Sequence, residues 1–332
     1  MSPAAPARKA HRSASRAPVL PPGFAGNSRD FADGLLQQQW KRYRQALKHC
    51  QDKFTLKAIH EFRVETRRLL SCLELLDGLL PARRVGKVRR LLKRRLDLLD
   101  DLRDTQVQLE TLVKLHRAST VAGLFRASLR KREQRFARRA RKQIRKVKAR
   151  RLGKLVAECR EYLATAIAGA APRKALAALS RSAGRAFRRA SRLRARINPR
   201  DSATIHRTRV AFKRFRYMVE ALAACLPAVT RQRLGAMRRY QTMMGNIQDA
   251  EVLLGALDGF LAKQAVNPEA VRRFREQLLR RRQRLILGHD LVKADHQKAL
   301  VVVHRQQLGR AGLDPEQRFE WRRNLAILLI DV

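Results

Sequence analysis

Acidic side chains are scarce in this chain: 28 Asp and Glu stand against 75 Lys and Arg in 332 residues, a formal net charge of +47. A globule with that excess repels itself, so the protein needs a polyanionic partner or a salty shell. Nucleic acid, an acidic membrane surface and a phosphate polymer are the candidates. Aromatic residues make up only 5% of the chain, which argues against the stacking platforms of single-strand nucleic-acid binders. No stretch approaches the roughly 20 apolar residues of a membrane span, and the run from Leu325 to Ile330 is far too short. The four cysteines, Cys50, Cys72, Cys159 and Cys225, are scattered without C-x-x-C spacing, so free thiols in a reducing cytosol are expected. No P-loop, nucleophile motif or metal-ligand spacing is present, so no catalytic residue, metal or cofactor is expected. The 45% hydrophobic content is ordinary and sufficient for a core.

What the chain does contain is a repeat. Ile59-His60-Glu61-Phe62-Arg63-Val64-Glu65-Thr66-Arg67-Arg68 matches Ile205-His206-Arg207-Thr208-Arg209-Val210-Ala211-Phe212-Lys213-Arg214. At about 100° per residue, His60, Arg63 and Arg67 share one helix face, as do His206, Arg209, Lys213 and Arg216. Phe62, Thr66, Leu69, Leu73 and Leu76 fall on the opposite side in the first copy, and Thr208, Phe212, Phe215, Val219 and Leu222 in the second. Each helix is thus amphipathic, apolar toward a core and cationic away from it. One basic face is ordinarily a solvated surface; a stripe kept in register in two diverged copies points to an anion. A second pair, Leu99 to Val107 and Met244 to Val252, repeats with Asp104 and Asp249 as its shared carboxylates. Among so many arginines these are expected in ion pairs or helix caps.

Apolar residues recur at three and four from Asp30 to about Gly288, with no hairpin signal. The predicted architecture is all-α: two pseudo-symmetric four-helix bundles from an internal duplication, with halves at about 29–169 and 173–288. The first half is read as four helices, the fourth long and unbroken from about Val121 to Ala168. Its segment from Arg126 to Lys154 holds fifteen Lys and Arg and a single acid, Glu133, so a wide basic face is expected. Residues 1–28 read as a disordered basic arm, with a transit peptide as the weaker alternative, and 289–332 as an appended helical tail.

The pattern H-x-x-R-V-x-x-(R/K)-R, met twice and each time followed by (R/Q)-D-(T/A)-x-V, resembles the CHAD family, the histidine-containing α-helical domain. The resemblance covers roughly 29–288. It implies a helical fold of two pseudo-symmetric bundles and a basic surface that binds inorganic polyphosphate, in some members at polyphosphate granules in the cytoplasm. Matched position by position, the implied anion ligands are His60, Arg63, Arg67, His206, Arg209, Lys213 and Arg216. To these are added Arg68 and Arg214 next to the stripes, Arg90, Lys93 and Arg94 off the core face of the third helix, and Arg238 and Arg239 in the second half. The family motif usually continues to an arginine, as at Arg216, where the first copy has Leu70. The expected function is non-enzymatic polyphosphate binding. The alternative is a protein that grips nucleic acid non-specifically through its backbone.

Overall fold

The computed structural model describes residues 28–113, 119–166, 172–223, 229–264 and 266–306. The arm, apart from Ser28, and the tail beyond Gln306 lie outside the described residues. Arg, Leu and Ala dominate the chain, and all are strong helix formers. The described residues form α1 (Ser28–Lys53), α2 (Leu56–Leu75), α3 (Ala82–Val113), α4 (Thr120–Arg145), α5 (Arg150–Ala166), α6 (Pro172–Ala195), α7 (Ser202–Leu222), α8 (Arg231–Leu261) and α9 (Pro268–Gln306), with a single 3-10 turn at Leu76–Gly78. The fold is all-α, as the periodicity predicts.

The long fourth helix of the sequence reading is two helices. The chain leaves α4 after Arg145 and restarts at Arg150, with neither glycine nor proline between. Its reason is tertiary. Gln51 of α1 donates its side-chain amide to the carbonyls of Ile144 and Val147 at 3.0 and 2.9 Å, and Arg95 of α3 donates to Lys148 O at 2.9 Å. Carbonyls that a helix end leaves unpaired thus find side-chain donors, and α5 folds back against α1 and α3. The first half therefore has five helices where four were expected.

Helices α2 and α7 lie at the centre. The α2 helix packs on α1 and α3, α7 packs on α6 and α8, and the two pack on each other. Contacts across the halves include each counterpart pair, α1 with α6, α2 with α7, α3 with α8 and α4 with α9, and also α2 with α6, α4 with α8 and the Leu76–Gly78 turn with α6. The largest hydrophobic cluster runs through both halves, from Phe31 and Tyr43 through Phe62 and Leu73 to Phe215, Met237 and Met244. The two halves share that core. A second cluster, including Leu112, Phe125, Leu129, Leu253, Leu257 and Phe274, ties the end of α3 to α4, α8 and α9. The α9 helix passes without interruption through position 288, where the sequence suggested that the tail begins. Cys50, Cys72 and Cys159 are free and buried.

Candidate anion-binding seam

Both stripes sit on helices that start at capped ends. Thr55 Oγ1 accepts from the Ala58 N–H at 3.2 Å, and the Asp201 carboxylate accepts from the Ala203 N–H at 2.9 Å, each satisfying an otherwise unpaired amide. The apolar arcs are buried as their spacing predicts: Phe62, Thr66, Leu69 and Leu73 on α2 with Leu76 just past its end, and Thr208, Phe212, Phe215, Val219 and Leu222 on α7. Since α2 packs on α7, the two cationic stripes meet in one seam.

At the centre of the seam, Lys213 lies within the fields of Arg67 and Arg63 from α2 and of Arg209 and Arg216 from its own helix. Desolvation and these four cations hold its pKa well below the usual lysine value. Desolvation, then Arg63 and Arg209, bring Arg67 down to about 10, against pulls from Tyr217 and Asp100. His60 stands at the seam's edge, and desolvation followed by Arg103, Lys213, Arg63 and Arg67 pushes it down to about 4. Arg67, Arg209 and Lys213 have no hydrogen bond or ion pair among the described residues, and Arg209 Nε is buried without a partner. Such a group ordinarily marks a missing water, ion or ligand.

Other predicted ligands are occupied from within. Arg63, 5% exposed, pairs with Asp100. Arg216, 6% exposed, binds Glu220, donates from Nε to Gln241 Oε1 at 2.7 Å, and lies over the Tyr217 ring at 4.4 Å. Glu220 also takes Arg238 at 3.2 Å and Arg68 at 3.6 Å, and Arg68 binds Glu65 as well. Arg214 pairs with Glu74, which takes Arg89 at 3.2 Å. These contacts are reciprocal. Arg68 of α2 reaches Glu220 of α7, while its sequence counterpart Arg214 reaches Glu74, the counterpart of Glu220. This exchange is what a two-fold relation between matched helices requires. It corrects the expectation that the stripe cations point away from everything structural: Arg63 and Arg216 are part of the packing.

Arg90, Lys93, Arg94, His206 and Arg239 are exposed. Desolvation raises the Glu74 pKa against the pull of Arg214, Arg89 and, last, Lys93, which joins this part of α3 to the same network. Asp104 and Asp249 form neither the ion pair nor the cap expected of them. They lie close enough that Asp104 raises Asp249, behind desolvation and against the pull of Arg209 and Arg103. The sequence reading missed Arg103, beside His60 and bonded to Glu110 at 3.2 Å, and the two glutamates. A signal for Glu74 and Glu220 existed: they are an acid kept at matched positions in an acid-poor chain. All fifteen Lys and Arg between Arg126 and Lys154 are exposed, so the wide basic face of α4 and α5 is as expected. Among the described residues no three His, Cys, Asp or Glu side chains gather as a metal site, and no helix is long and apolar enough to cross a membrane.

An all-helical protein whose matched His-Arg helices cross at its centre is the class this architecture defines. The CHAD domain model matches residues 41–258, about two thirds of the sequence. The chain belongs to the CHAD domain family. It is similar to the crystal structure of the CHAD domain from the plant Ricinus communis, with 22% identity, a TM-score of 0.66, and coverage of 84% of this chain and 94% of that one. It is also similar to PptA from Streptomyces chartreusis, at 17% identity and a TM-score of 0.58, covering 80% and 98%. At these identities the likeness speaks for the fold. No curated protein matches the chain.

Proposed function

We propose that this protein binds inorganic polyphosphate, without catalysis, along the seam where α2 crosses α7. The observation that carries the reading is the convergence of Arg67, Arg209 and Lys213 from two helices with no bonded partner, one guanidinium nitrogen of Arg209 being buried and unsatisfied. A linear polyanion without bases suits such a seam. It needs cations in a row and no stacking surface, and its phosphate oxygens accept the paired hydrogen bonds that guanidinium offers. Family membership supports the same ligand, since the CHAD resemblance implies polyphosphate. The exposed cations of α4 and α5 extend the attraction beyond the seam and fit residence on polyphosphate granules in the cytoplasm.

The same α4–α5 face favours one competing reading, backbone-only nucleic-acid binding. Competition decides between them. Labelled long-chain polyphosphate is bound at about 150 mM salt, near physiological ionic strength, and challenged with duplex or single-stranded DNA at equal phosphate concentration. Polyphosphate is expected to remain bound; displacement by DNA would favour the competing reading. Incubation with polyphosphate and Mg²⁺ or Mn²⁺ is expected to release no phosphate.

A further inference from the structure

A second concave site lies between α4 and α8, one turn of α3 beyond Asp104. Its cavity of about 660 Å³ falls within the usual range for small-molecule pockets. Phe125, Leu129, Phe136 and Phe260 form apolar walls, and Gly255 and Gly259, one helical turn apart on α8, form a floor of bare backbone. A Cβ built at either glycine meets nothing within 4 Å, so the space above that floor is open. Arg132, Arg135 and Lys263 stand around it. The guanidinium groups of Arg132 and Arg135 lie 5.5 and 5.2 Å from the Phe136 ring centroid and have no carboxylate partner among the described residues.

The decisive residue is Gln108 of α3, which lines the cavity while only 3% exposed. Its side-chain oxygen has no hydrogen-bond partner. A buried amide left unpaired costs stability unless something else satisfies it. A bare phosphate polymer cannot use phenylalanine walls, and a fatty acid has no donor for an amide oxygen deep in the site. A nucleobase offers both: a flat π-face for the rings and an N–H edge for the amide, with phosphates attached for the three cations.

We infer that the α4–α8 cleft binds a nucleoside polyphosphate. The base lies over the glycine floor against Phe260 and Phe136, with the buried Phe125 backing Phe260, and meets the Gln108 amide. The phosphates lie against Arg132, Arg135 and Lys263. This site shares no lining residue with the seam, and the inference stands whether or not the seam takes polyphosphate.

The test is titration of the full chain with ATP, with inorganic tripolyphosphate as the control that has phosphates and no base. ATP is expected to bind more tightly than tripolyphosphate. Gly259→Trp fills the cleft, and Gln108→Leu removes the amide. Each is expected to weaken ATP binding roughly tenfold, the order of a lost base–aromatic contact, and to leave long-chain polyphosphate binding unchanged. Lys213→Met in the seam should leave ATP binding as it was. ATP binding no better than tripolyphosphate, or insensitive to both cleft variants, would overturn the inference. So would loss of ATP binding in Lys213→Met, which would mean that nucleotides use only their phosphates and only the seam. Circular dichroism of Gly259→Trp checks the fold, and Gln108→Leu carries the test if that variant is unstable.

Discussion

The α2 and α7 stripes carry the same residue types in the same register, yet their charges have different fates. Arg63 of α2 is neutralised by Asp100. Its counterpart Arg209 faces Gly245, the residue aligned with Asp100, and a Cβ there would lie 3.6 Å from Arg209 Nε. One half has a carboxylate at this position and the other has none. The reverse holds two turns further on, where α7 places Arg216 against Glu220 while α2 has Leu70 packed on the core. The seam's unpartnered charge is therefore uneven, and a repeat that looks symmetric in sequence becomes an oriented cationic surface.

The largest expected effect tests how differently the two glutamates are loaded. Glu220 is 6% exposed and serves Arg216, Arg68 and Arg238. Glu220→Ala should cost about 3–5 kcal/mol in denaturant unfolding, because it strands a buried guanidinium. Glu74→Ala, whose arginine partners are about a third exposed, should cost roughly 1–2 kcal/mol. Equal losses would mean that the two halves bear their ion pairs alike.

Next comes the Asp100–Gly245 exchange. Gly245→Asp gives Arg209 the carboxylate that Arg63 already has, and it should weaken polyphosphate binding about tenfold, the scale of one charge-assisted contact. The slope of log affinity against log salt should fall by roughly one. Asp100→Ala should do the opposite, tightening binding while lowering the melting temperature. If Gly245→Asp binds as wild type, Arg209 is not in the anion path.

Much of this was legible in the sequence. The all-α class and the buried arcs of α2 and α7 follow from period and repeat; the core shared by both halves, in place of two separate bundles, does not. The targets of the stripe cations were not legible, because a helical wheel shows which face a residue takes and not what crosses over it. Arg68 and Arg214 read as ligands and turn out to clasp the opposite half. The break between α4 and α5 left no local mark, since Gln51, far away in sequence, supplies the donors that end α4.

Two smaller effects remain. Leu70→Arg adds to α2 the cation that α7 has at Arg216. Leu70 is half-buried against the core, so we expect no gain in affinity and a loss of about 1 kcal/mol in stability; tighter binding at unchanged melting temperature would show instead a shared anion path. The smallest effect is in pH. The folded free protein holds His60 neutral down to about pH 4, whereas the unfolded chain protonates it near 6.5. Free-protein stability should therefore fall as pH drops through that window. A bound polyanion raises the His60 pKa, so binding takes up a proton and affinity should rise as pH falls over the same range. His60→Ala should flatten that part of the profile in titrations at constant ionic strength; an unaltered profile would place His60 outside the bound anion's field.

The exposed face of α4 and α5 bears on how a bound chain would leave. Its fifteen cations are all solvent-facing, so a polymer lying there trades one contact for the next without a large step at any point. Release of a bound polyphosphate would then proceed by peeling, phosphate by phosphate, and an end that lifts off would be recaptured while the rest still holds. Dilution alone should empty such a surface slowly. A second polyanion, able to occupy each cation as it is vacated, should empty it fast, so the lifetime of the complex would depend on how much rival polymer surrounds it.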